Sequence, residues 1–134
     1  MAKDYKPLDL LSKEQLKEIR EKKDWINVVS ISLNWLQIIF SMALFFYFPN
    51  VLTFLLAVII IGSRQFALAV LAHDGAHNLL FSNEKINDFA SQWFCAFPLF
   101  SDNRPYRPYH LAHHRFTESE NFPDLRLIAS LPKT

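Results

Sequence analysis

Residues 51–77, VLTFLLAVIIIGSRQFALAVLAHDGAH, form a long apolar run that ends in two histidines four positions apart. From Val51 to His73 is 22 steps, about 33 Å along an α-helix and close to the thickness of a hydrocarbon layer. A helix here would cross a membrane, and His73-Asp-Gly-Ala-His77 would emerge just past its far side. Arg64-Gln65 is the one interruption, with Arg64 either snorkelling to the interface or pairing inside a bundle.

The stretch before it has the same character. Ile26 to Phe48 is 23 residues without a formal charge, flanked by Trp25 and Tyr47 where aromatic belts form. Pro49-Asn50 is a turn signal, so membrane helices at about 26–48 and 51–72 are expected to make a hairpin. Ser30, Asn34, Gln37 and Ser41 put a polar stripe along the first helix, suited to hydrogen bonds between helices, with substrate contact as the alternative. Ser63 with Ala67, and Ala72 with Ala76, are pairs of small residues that let another helix approach. The whole chain is 51% hydrophobic and 15% aromatic with two glycines, which is membrane rather than soluble composition.

Residues 1–24 form a separate, charged segment. Ser12-Lys-Glu-Gln15 is a capping box that starts a helix at Lys13, with Leu11 and Leu16 as its hydrophobic staple and Lys17–Glu21 and Glu18–Lys22 as i,i+4 pairs. It is a solvated or membrane-surface lead-in, or else a partner-binding helix, and it lacks the pattern of a secretory signal peptide. This segment holds seven Lys or Arg, the Pro49-Asn50 turn none, and Lys85, Arg104, Arg107, Arg115, Arg126 and Lys133 all follow the second apolar run. The positive-inside rule then puts both ends in the cytoplasm and the chain in the inner, cytoplasmic membrane. A net charge of +1 carries no nucleic-acid footprint. The single cysteine, Cys95, is read as a small apolar helix residue.

Asn83 is expected to cap a helix from Glu84 to Phe97, whose face of Ile86, Phe89, Ala90, Trp93 and Phe97 would lie in the membrane interface. Pro108, within Arg104-Pro-Tyr-Arg-Pro-Tyr109, is expected to open a further helix that carries His110-Leu-Ala-His113-His114.

All five histidines fall in two five-residue windows, 73–77 and 110–114. Residues three and four apart share a helix face, so each window offers a histidine face, and neutral imidazole is the commonest ligand of Fe, Zn, Cu and Ni. Asp74 is placed to orient His77 or a histidine of the other window through a ring N–H, with simple solvation as the alternative. A zinc-protease helix needs His-Glu-x-x-His, where this chain has Asp74 at the second position. A bis-histidine haem site would leave most of the five unused. A metal carrier or sensor without turnover has the same ligands and stays open.

His73-Asp-Gly-Ala-His77 resembles the first histidine box of the membrane fatty acid desaturase and hydroxylase superfamily, and His110-Leu-Ala-His113-His114 resembles its second. The flanking His77-Asn-Leu-Leu-Phe81 with Asn87-Asp88, and His114-Arg-Phe-Thr117 with Pro123-Asp124-Leu125, resemble bacterial members; the likeness covers roughly residues 25–130. It implies an all-α integral membrane fold, a transmembrane hairpin plus cytoplasmic and interfacial helices carrying the boxes. It further implies that His73, His77, His110, His113 and His114 ligate two iron ions. The expected reaction is O₂-dependent desaturation of an acyl lipid, with a ferredoxin or cytochrome b5 type electron donor. Hydroxylation or carotenoid oxygenation is the alternative within the superfamily. The superfamily carries a third box, His-x-x-His-His, that does not occur here, so residues 25–134 are expected to be the N-terminal part of a desaturase domain, inactive without that box.

Overall fold

The computed structural model describes residues 10–117, and every regular element among them is helical. Pro123-Asp124-Leu125, Arg126 and Lys133 lie outside the described residues. Helix α1 (Lys13–Ile19) starts where the capping box puts it: Ser12 Oγ accepts from the Gln15 N–H at 3.2 Å, and the Gln15 side chain accepts from the Ser12 N–H at 2.9 Å. It stops at Ile19, so the two expected i,i+4 ion pairs fall across its end and do not form on a helix face. Lys22 instead donates to the Asn78 carbonyl at 2.6 Å.

Helices α2 (Asp24–Tyr47) and α3 (Val51–Ala76) form the expected hairpin, and both are long and apolar enough to cross a membrane. The turn is fixed by a second capping box, in which Asn50 Oδ1 accepts from the Thr53 N–H at 3.1 Å and Thr53 Oγ1 accepts from the Asn50 N–H at 3.2 Å. Each helix buries only a narrow stripe: Ile31, Asn34, Ile38 and Ser41 on α2, and Thr53, Ala57, Leu68, Ala72, Gly75 and Ala76 on α3. Their other faces turn large apolar side chains outward, with Phe40 67% and Phe66 74% exposed.

The polar stripe of α2 is used differently from the expectation. Asn34 Nδ2 donates to the Ser30 carbonyl at 2.9 Å and Ser41 Oγ to the Ile38 carbonyl at 2.9 Å, both within α2, while Gln37 points outward. Short polar side chains on a helix reach the carbonyl three or four residues back more easily than they reach a neighbour. Of the two small-residue pairs, Ala72 and Ala76 are buried and Ser63 is exposed.

Beyond α3, Leu80 and Phe81 turn back into the core, and Asn83 Oδ1 caps α4 (Glu84–Ala90) by accepting from the Lys85 and Ile86 N–H groups. The helix expected to reach Phe97 unbroken changes pitch instead, to a π turn over Ser91–Ala96 and a 3₁₀ turn over Phe97–Leu99. Ser91, Gln92, Cys95 and Ala96 are the buried residues of the π turn. Of the expected apolar face only Ala90 is buried; Ile86, Phe89 and Trp93 face outward. Cys95 is fully buried, and its burial pushes the thiol up to about 12.

Helix α5 (Asn103–Phe116) starts five residues before the expected Pro108. Asp102 caps it, accepting from the Arg104 N–H at 2.9 Å, and Pro105 sits in the first turn, where a missing N–H costs nothing. Pro108 therefore lies inside the helix.

Candidate metal centre

Helix α3 continues straight from its apolar run through the first histidine box and ends in a Schellman motif. The Leu79 N–H donates to the Asp74 carbonyl at 2.8 Å and the Asn78 N–H to the Gly75 carbonyl at 3.0 Å, with Asn78 at φ 58°. Asn is one of the few residues that adopts that left-handed conformation readily. His73 stands in the last turn and His77 at the cap, so both imidazoles crown the end of α3.

Helix α5 brings the second box alongside. His77 Nε2 and His110 Nε2 are 3.0 Å apart, and so are His114 Nε2 and His110 Nε2. One ligand nitrogen from each of His73, His77, His110 and His114 fits within a group whose members all lie within 4.8 Å of one another. Nitrogens bound to one metal at about 2.0–2.1 Å are themselves roughly 3 to 4 Å apart; the two pairs at 3.0 Å have that spacing, and the widest of the group would have to draw in by several tenths of an ångström to share one ion. Neutral imidazoles are also the donor chemistry such an ion selects. Burial, then the neighbouring His73 and His114, lower the pKa of His77 and of His110, which favours the neutral imidazole over the imidazolium. The Tyr106 ring stacks on His110 at 4.9 Å and 15° and fixes its plane.

His113 stands apart from the group of four. Its ring is stacked 6.2 Å from His110 and edge-on 5.8 Å from His114. The reason is angular: at about 100° per residue, His114 returns to the His110 face from one side and His113 from the other. Asp74 Oδ1 lies 3.5 Å from His73 Nδ1, its own neighbour in the chain, and its charge also reaches His77, whose pKa it works to raise.

What holds the two boxes in register was largely missed in the sequence. Asn87 is fully buried and uses its whole amide: Oδ1 accepts from the Leu80 and Phe81 N–H groups at 3.1 and 3.2 Å, and Nδ2 donates to the Gly75 carbonyl at 2.8 Å and Asn78 Oδ1 at 3.2 Å. Asn103 Nδ2 donates to the Ala72 carbonyl at 3.1 Å while its N–H donates to Gln92 Oε1 at 2.9 Å. Arg107 Nη2 donates to the Gly75 carbonyl at 2.9 Å and pairs with Asp88. That pairing, followed by the Asn87 bond, holds the Asp88 carboxyl below its ordinary range. Gly75 is required by contact: a Cβ there would lie 2.2 Å from Ser91 Cβ. The available signal was the spacing 103, 107, 110, 114, a single stripe along one helix.

Dihydrorhizobitoxine desaturase of Bradyrhizobium elkanii is 40% identical over 75 residues, which is 54% of this chain and 21% of that protein. The aligned part thus spans about a fifth of the relative's length. No solved structure matches the chain. The family model for fatty acid desaturase matches residues 49–134, a stretch that takes in α3, both histidine boxes and the helices between them. The chain belongs to the fatty acid desaturase family.

Proposed function

We propose that this chain is the N-terminal part of a membrane desaturase that removes hydrogen from an acyl lipid at a histidine-bound iron centre. The observation that carries the reading is the group of four imidazoles gathered at the ends of α3 and α5, directly beyond an apolar hairpin. Iron supplied with O₂ and electrons provides the oxidising power to break an unactivated C–H bond, which redox-silent zinc does not. The chain's own residues would bind and orient: His73, His77, His110 and His114 would hold one ion, and His113, stacked on His110 outside that group, would serve the second iron of a di-iron centre.

The membrane part rests on exposure. A soluble monomer rarely leaves contiguous apolar patches above a few hundred Å² in water, whereas α2 and α3 are apolar on nearly every outward face. Lipid is the solvent that removes this cost. Ile86, Phe89, Trp93 and Phe100 are exposed as well, as the apolar side chains of an interfacial helix would be. With the basic residues of 1–24 on the cytoplasmic side, the centre faces the cytoplasm, where a ferredoxin or cytochrome b5 type donor delivers electrons.

The name of the relative favours desaturation over oxygen insertion, and it gives dihydrorhizobitoxine, not an acyl lipid, as that protein's substrate. A small non-lipid substrate is therefore the second reading. The test expresses the full reading frame in membranes with O₂, a reductant system and mixed acyl lipids, and analyses products by mass. Products lighter by one H₂ that vanish in His77→Ala support the proposal. Products heavier by one oxygen would indicate hydroxylation, and the absence of any product from the acyl lipids would overturn the lipid assignment.

A further inference from the structure

We propose that Arg107 is the positioning residue that sets the spacing between the two histidine boxes and so governs metal affinity without touching the metal. This rests on the metal reading of the four imidazoles. Helix α5 meets α3 through a ladder of side chains four, three and four residues apart. Asn103 Nδ2 takes the Ala72 carbonyl at 3.1 Å, Arg107 Nη2 takes the Gly75 carbonyl at 2.9 Å, and His110 Nε2 meets His77 Nε2 at 3.0 Å with His114 beside it. Two of these rungs are hydrogen bonds, and they fix how α5 is rotated and how far it is shifted along α3. The remaining two are the imidazoles, which inherit that placement.

Arg107 is the rung closest to the histidines and the only one of the two that is charged. The Gly75 carbonyl lies in the last turn of α3, between His73 and His77 in the chain, where the helix dipole is negative and attracts a cation. That oxygen also accepts from Asn87 Nδ2 and from the Asn78 N–H, so α3, the following loop, α4 and α5 are tied at one atom. Asp88 on α4 pairs with the same guanidinium and keeps it from swinging away. Arg104 offers an internal control: it lies on the same helix and, among the described residues, pairs only with the capping Asp102, with no bond to α3.

Cobalt(II) titration of the detergent-purified chain tests this, because its visible absorption reports both affinity and ligand geometry without any turnover. Arg107→Gln is expected to weaken cobalt binding by about 10- to 100-fold, the range for groups that orient ligands from behind, and to change the shape of the band. Arg107→Lys, which keeps the charge but not the planar fork, is expected to recover part of the loss. Arg104→Gln is expected to bind like the parent. Circular dichroism reports whether Arg107→Gln still folds; Asp88→Asn, a milder change at a half-exposed carboxylate, is expected to weaken binding several-fold in the same direction. If both Arg107→Gln and Asp88→Asn leave affinity and band shape unchanged, or if Arg104→Gln weakens binding as much, the positioning role is wrong while the metal site stands. If the parent chain binds no cobalt that its histidines control, both readings fall together.

Discussion

Replacing Gly75 by Ala should destabilise the chain, and the sign should reverse once Ser91 is also changed. A Cβ at Gly75 would stand 2.2 Å from Ser91 Cβ and 2.8 Å from Ser91 Oγ, with both residues buried. Overpacking of this kind costs about 1–3 kcal/mol, and the close contact with a Cβ, which cannot rotate away, places this case near the upper end. Ala gains roughly 0.5–1 kcal/mol over Gly within a helix, so the net loss is about 2 kcal/mol, enough to change the folded-to-unfolded ratio roughly 30-fold. In a Ser91→Gly background the clashing atoms are gone, and the nearest remaining neighbour, Asn103 Nδ2 at 3.6 Å, is an ordinary contact. There Gly75→Ala should be neutral or stabilising by about 0.5–1 kcal/mol. Denaturant unfolding of the four variants in detergent, followed by circular dichroism, gives both numbers. Equal effects of Gly75→Ala in the two backgrounds would refute the close approach of α3 to the π turn.

Asn87→Ala should leave the buried Leu80 and Phe81 N–H groups without an acceptor, at about 1–3 kcal/mol for each unsatisfied group; hydrogen exchange at those two amides should rise sharply, and unchanged protection would count against the loop anchor. Cys95, fully buried with its thiol pushed up to about 12, should resist maleimide at pH 8 in the folded chain and react on denaturation; rapid labelling of the native chain would contradict the packing. In metal-free protein His77 and His110 have folded pKa values below the unfolded 6.5, so the unfolded state binds more protons and stability is full above pH 6.5 and declines as pH falls below it. Melting temperatures measured from pH 8 to 5 should fall on acidification, less steeply in His110→Ala, and a rise on acidification would show the sign to be wrong.

The parts legible in sequence were those governed by local or periodic rules. Ser12 with Gln15 marked a helix start and Pro49-Asn50 a turn because both signals sit within a few residues, and the apolar runs marked the two long helices because length and charge decide them. The histidines were legible because spacings of three and four superimpose on a helix face. Less legible was anything set by tertiary contact. Pro108 looked like a helix start, yet Asp102 and the buried Asn103 begin the helix one turn and more before it. The 84–97 stretch read as one amphipathic helix, but packing Ser91 against Gly75 and burying Cys95 with Ala96 draws it into a π turn. His113 was grouped with His110 by the same helical spacing, and the structure leaves it outside the group of four because it lies on the opposite flank of His110 from His114.

The account stands most directly on iron binding by the purified chain. Loaded anaerobically with ferrous iron and dialysed, the 134-residue chain should retain at least one iron per molecule. The variant with His73, His77, His110 and His114 all changed to Ala should retain none at that site, and His113→Ala should lose less than any of the other four single changes. Iron retained equally by the fourfold variant, or lost as fully through His113→Ala as through His110→Ala, would contradict the four-imidazole centre.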